Sequence, residues 1–90
     1  MLFALICTDK PDHLAVRMTN RDAHLAYFKD SGMLQMAGPF LNDDDAMCGS
    51  LLIIEADDIA AAQALAAEDP YAKAGLFSDV RIEAWKKVIG

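Results

Sequence analysis

Two short, wholly apolar runs constrain this chain more than anything else in it: Leu2-Phe3-Ala4-Leu5-Ile6-Cys7 and Leu51-Leu52-Ile53-Ile54. An apolar run of this length, bounded by turn or polar residues, reads as a strand covered on both faces. Thr8-Asp9-Lys10-Pro11 stops the first run, which is expected to pair along both edges. The second is opened by Gly49-Ser50 and closed by Glu55.

The segments between and after these runs complete the pattern. From Pro11 the chain turns helical, with proline at a permitted first-turn position and Leu14, Met18, Leu25 and Phe28 on one stripe. Arg21 falls inside that stripe, a conflict that predicts a break near Met18, with Thr19 as a fresh N-cap and a main helix running to about Ser31 before Gly32. Met33 to Leu41 reads as an extended strand with a bend at Gly38-Pro39, and proline places it at an edge or a bulge. Asn42 to Ala46 is a polar hairpin loop. Asp57-Asp58 opens an alanine-rich helix that ends before Asp69-Pro70, and Tyr71 to Gly75 adds one further turn. Phe77 to Trp85 alternates apolar and polar residues, a strand with one wet face.

The order strand, helix, strand, strand, helix, strand predicts an α+β, ferredoxin-like βαββαβ domain over residues 1-90, with a four-stranded antiparallel sheet and both helices on one face. The other sheet face is left uncovered. With 54% hydrophobic residues in only 90, much of the surplus alanine and methionine, a homo-oligomer is expected to cover it.

Charge and cysteine usage narrow the function. A net charge of -6 with eight dispersed Lys and Arg excludes nucleic acid as the expected partner. No apolar run approaches the roughly twenty residues that span a bilayer, and no basic leader precedes the first strand, so a cytoplasmic chain without membrane contact is expected. Cys7 and Cys48 are expected as free thiols, and neither has metal-ligand spacing. The acids Asp43-Asp44-Asp45 lack the alternating ligands, glycine and distal glutamate of a calcium loop.

Candidate chemistry gathers on few residues. Arg21 and His24 are three apart and share a helix face with Phe28, so a guanidinium and an imidazole border an aromatic ring. A break at Met18 would free Arg21 to reach a ligand. Arg17 is a second candidate for that place, although a solvated helix charge is its plainer explanation. Pro70 holds Asp69 in an extended geometry, so its carboxylate is either positioned for use or part of an ordinary turn. Ser50 has no nucleophile-elbow surroundings. His13, beside Asp12, is most simply solvated.

Four short motifs then stand out together: Arg21-Asp22-Ala23-His24-Leu25, Ala37-Gly38-Pro39, Gly49-Ser50 and Asp69-Pro70-Tyr71. In that order, over nearly the whole chain, they resemble the YciI-like (YCII-related) family. The resemblance implies a dimeric α/β barrel and an active site in which a His and an Asp act together. Matched by motif, these are His24 and Asp69, with Arg21, Ser50 and Tyr71 as neighbours. A related protein removes chloride from a hydroxylated ring; the short, acidic Asn42 to Ala46 loop is a departure from many relatives. The expected function is general acid/base chemistry without metal or organic cofactor, by proton abstraction, elimination or hydrolysis, on a small anionic or cyclic metabolite. The alternatives are a small-ligand-binding or interaction module that does not convert its ligand, and a purely structural subunit.

Overall fold

The structure, a computed structural model, describes every residue from Met1 to Gly90. Its elements are β1 (Leu2–Asp9), α1 (Leu14–Ser31), β2 (Leu34–Leu41), β3 (Met47–Glu55), α2 (Ile59–Ala67), α3 (Pro70–Lys73) and β4 (Phe77–Trp85). The four strands form one antiparallel sheet in the order β2-β3-β1-β4. The two apolar runs are therefore its two central strands. The strand carrying Pro39 lies at an edge, where a missing ladder donor costs least.

Alternation along β1 and β3 turns Phe3, Leu5 and Cys7 with Leu52 and Ile54 toward the helices, where Phe28 of α1 and Ala62 of α2 close a buried core. The intervening register pairs Ala4–Ile53 and Ile6–Leu51 point to the opposite face. That face also carries Phe40, whose ring meets the position a side chain would take on Gly49. No helix covers it, and Met36 and Phe40 at its edge stay largely exposed.

Two expectations for the first helix are corrected. The helix starts at Leu14, not Pro11, because Asp12 takes a left-handed φ of 59° that cannot begin a right-handed helix. No break occurs near Met18: α1 is continuous to Ser31 and is capped by Gly32 at φ 72°. Thr19 is thus a mid-helix residue, and Arg21 lies well inside the helix. The inward stripe is Arg17, His24 and Phe28, while Leu14 and Met18 are exposed. A buried arginine is tolerated there because its counter-ion is supplied from outside the helix.

The remaining connections follow their local chemistry. Asn42 Oδ1 accepts from the Asp44 and Ala46 amides and closes the β2–β3 hairpin. Asp58 caps α2 by accepting from the Ala61 amide at 2.8 Å. Asp69 has the extended φ of -57° and ψ of 126° that a following proline imposes, and it caps α3. No helix is long and apolar enough to cross a membrane.

Candidate functional site

Spacings of four, three and four residues put Arg17, Arg21, His24 and Phe28 on one face of α1. Three of them are buried; Arg21 is exposed. Opposite them, β3 contributes Ser50, and α3 contributes Tyr71. Between α1, β2, β3 and Tyr71 lies a cleft of about 130 Å³, lined by Arg17, Arg21, His24, Ser50 and Tyr71 and by apolar side chains such as Leu25, Pro39 and Leu52.

The imidazole is held on three sides. Nδ1 of His24 lies 2.7 Å from Oδ1 of Asp69, which also accepts from the Tyr71 amide at 2.9 Å. A carboxylate only accepts, so Nδ1 supplies the hydrogen and Nε2 is left as an acceptor when the ring is neutral. The Tyr71 ring stacks on the imidazole with centroids 3.8 Å apart and planes 13° from parallel. Phe28 meets it edge-on at 5.1 Å.

Arg17 is held as firmly. Nε and Nη2 donate to the two oxygens of Asp9 at 2.7 and 2.8 Å, and Nη2 also donates to Ser50 Oγ at 2.9 Å. Its guanidinium carbon stands 4.8 Å from the centre of the Tyr71 ring. Burial pulls the proton affinity of this guanidinium down, but the hydrogen bonds and charge of Asp9 outweigh it and hold it above its ordinary value. Burial also raises the Tyr71 phenol, an effect that Arg17 and Arg21 partly oppose. Cys7, on β1 behind the site, is pushed up to about 12 by burial and then by the charge of Asp69.

The cleft therefore brings together Arg17, Arg21, His24, Ser50 and Tyr71, with Asp69 directly behind His24. Arg17 is not the solvated helix charge of its plainer explanation, since it is 3% exposed. Arg21 reaches the cleft without a helix break, from the middle of α1, and has no carboxylate within ion-pair distance. Asp9, the partner that neutralises Arg17, was not singled out by the sequence. It sits in a run of turn residues, and nothing local marks it as the counter-ion of a residue eight positions on.

The profile of the YCII-related domain matches residues 1–86. The chain belongs to the YCII-related family. Within it, Protein YciI of Escherichia coli O6:H1 is 40% identical over 97 aligned positions, covering 98% of this chain and 99% of that protein. An uncharacterized protein of Haemophilus influenzae is 34% identical over the same shares. Among solved structures, this YCII-related chain is similar to 5-chloro-2-hydroxyhydroquinone dehydrochlorinase (TftG) of Burkholderia phenoliruptrix AC1100 in complex with 2,5-dihydroxybenzoquinone. The identity is 40% and the TM-score 0.86, with 96% of this chain and 94% of that one covered.

Proposed function

We propose that this chain is an enzyme that removes a proton from a small hydroxylated or otherwise anionic ring compound, with His24 as general base and Asp69 as the group that orients it. The observation that carries this reading is the 2.7 Å contact between His24 Nδ1 and Asp69, which aims Nε2 at a cleft of ring size. With the hydroxylated ring in its keto form, Nε2 takes the proton from a ring C–H; the electron pair of that bond forms a new C=C bond, and a leaving group such as chloride departs with its bonding pair from the adjacent carbon, so that HCl is lost across the two. His24 takes the proton itself, so the step calls on no organic cofactor. Arg21, unpaired at the mouth, attracts the anionic oxygen of the ring. A base of this kind contributes about 10²- to 10⁴-fold in rate. The similarity to a dehydrochlorinase with a dihydroxyquinone bound supports the substrate class.

We also propose that the working unit is a homodimer, formed by two sheets packed face to face over Met36, Phe40 and the inner apolar residues of the uncovered face. We place it in a reducing, cytoplasmic setting, on the strength of the two free thiols Cys7 and Cys48.

The test is chloride release from 5-chloro-2-hydroxyhydroquinone together with spectroscopic titration by 2,5-dihydroxybenzoquinone. Turnover lost by at least a hundredfold in His24→Gln, with the circular dichroism spectrum kept, is the expected result. Tight binding without turnover would make the domain a ligand-binding module, and neither binding nor turnover would reject the cleft as the site for such rings.

A further inference from the structure

The hydrogen bond between Arg17 and Ser50 has a direction, and the direction fixes what Ser50 can do. A guanidinium has donors and no acceptor, so in the 2.9 Å contact Ser50 Oγ must accept. The arginine cannot turn away, because Nε and Nη2 are already engaged by the two oxygens of Asp9 at 2.7 and 2.8 Å, and the pair is buried, with side-chain exposures of 3% and 6%. Ser50 itself is 4% exposed and lines the cleft. Its hydroxyl hydrogen has no acceptor among the side-chain and backbone hydrogen bonds of the protein. One lone pair is taken, the proton is free, and the cleft that Ser50 lines is where a ligand oxygen can meet it.

We propose that Ser50 is a one-way hydrogen-bond donor to a ligand oxygen, and that Arg17, pinned by Asp9, is the positioning residue that imposes this polarity. The proposal rests on the reading of the cleft as a ring-binding site and deepens it by naming the ligand's chemistry at one point. The atom facing Ser50 is a carbonyl, phenolate or enolate oxygen. A ligand that presents only an O–H or N–H donor there meets a second donor hydrogen. Arg17 lines the cleft too, but its Nε and Nη2 are spent on Asp9 and Ser50, so its part is to fix Ser50, and anion attraction falls to Arg21. The cleft thus pairs one acceptor that takes a proton, Nε2 of His24 on α1, with one donor that steadies an oxygen, Ser50 on β3.

The experiment compares the affinities of the folded protein for 2,5-dihydroxybenzoquinone, which when ionised offers only oxygen acceptors, and for 1,4-hydroquinone, which is neutral and carries O–H donors. In Ser50→Ala the preference for the quinone over the hydroquinone should fall by roughly 10- to 100-fold, the worth of a hydrogen bond to a charged oxygen. A role confined to the fold would weaken both ligands alike. In the native background Arg17→Lys should erode the same preference, whereas in the Ser50→Ala background it should change it less than twofold, because Arg17 acts through Ser50. Effects that multiply would overturn the proposal by showing that Arg17 meets the ligand itself. An unchanged preference in Ser50→Ala would overturn it while leaving the ring-binding site intact. A native protein that binds neither compound would overturn both readings.

Discussion

Replacing Arg17 with methionine keeps most of the aliphatic bulk of the side chain and removes the fork that Asp9 is built around. Two charge-assisted hydrogen bonds, at 2.7 and 2.8 Å, disappear. The larger effect is on Asp9, whose side chain is only 6% exposed and would be left as a buried carboxylate without a counter-ion. Breaking a buried pair from one side typically costs about 3–5 kcal/mol. Against a total stability of order 5–15 kcal/mol that is about a fifth or more. With a urea slope near 1 kcal/mol per molar, the midpoint should fall by about 3–5 M. The control is the double variant Asp9→Leu/Arg17→Met, in which the orphaned charge is gone and the site is apolar; it should regain most of the loss. Urea unfolding followed by tryptophan fluorescence and circular dichroism reads both. A loss below about 1 kcal/mol, as expected of an arginine on a solvated helix face, would refute the reasoning. So would a double variant no more stable than the sum of the two single changes.

Three further outcomes are expected. Gly49→Ala would put a Cβ 2.4 Å from the Cys7 carbonyl oxygen and 3.3 Å from the Phe40 ring, so β3 and β1 must separate beside Ser50; a loss of about 1–3 kcal/mol in urea unfolding is expected, with weaker ring binding. Cys7, raised to about 12 from 9.0, holds its proton more tightly folded than unfolded, so its contribution is full below pH 9 and is lost as pH rises toward 12. Between about pH 8 and pH 10.5 the native protein should lose about 2 kcal/mol more than Cys7→Ala does, and equal slopes would contradict the assignment. Phe40→Glu on the uncovered face should convert the proposed dimer to a monomer in light scattering, and a dimer that survives would place the interface elsewhere.

The parts of this fold legible in the sequence are those where side-chain pattern and burial agree. The strands announced themselves because β1 and β3 are central and so are apolar throughout, while the alternation over Phe77 to Trp85 matches β4 at both ends. Asp69 was legible through its backbone, since a residue before proline has few conformations, and the extended one aims its carboxylate. Its link to His24, 45 residues away, came from matching motifs and not from spacing. Helix α1 was the element misread. Its inner face holds an arginine and a histidine where the periodicity predicts apolar residues, and the exposed positions hold Leu14 and Met18. A periodicity argument treats a buried charge as an error. It cannot see that Asp9, on a different element, makes that charge acceptable.

The same inversion ties the site to the fold. Along α1, Arg17 is fastened to Asp9 of β1, His24 to Asp69 at the start of α3, and the Tyr27 hydroxyl to the Leu65 carbonyl of α2 at 2.6 Å. These three polar contacts join the helix to three different elements. An apolar stripe can slide or rotate by a fraction of a turn and still bury a similar area. A fork, a dyad and a single O–H···O bond cannot, because each would leave a buried donor or charge unpaired. The groups that orient the cleft are thus the groups that set the rotation of α1, and the two roles should separate in the Asp9→Leu/Arg17→Met variant. That variant is expected to keep its stability while Ser50 loses its anchor and one of the three ties of α1 is cut. Binding of 2,5-dihydroxybenzoquinone should then weaken in a protein that unfolds as cooperatively as the native one. If binding is instead unchanged, the packing of Phe28 and the dyad alone would be enough to aim the helix.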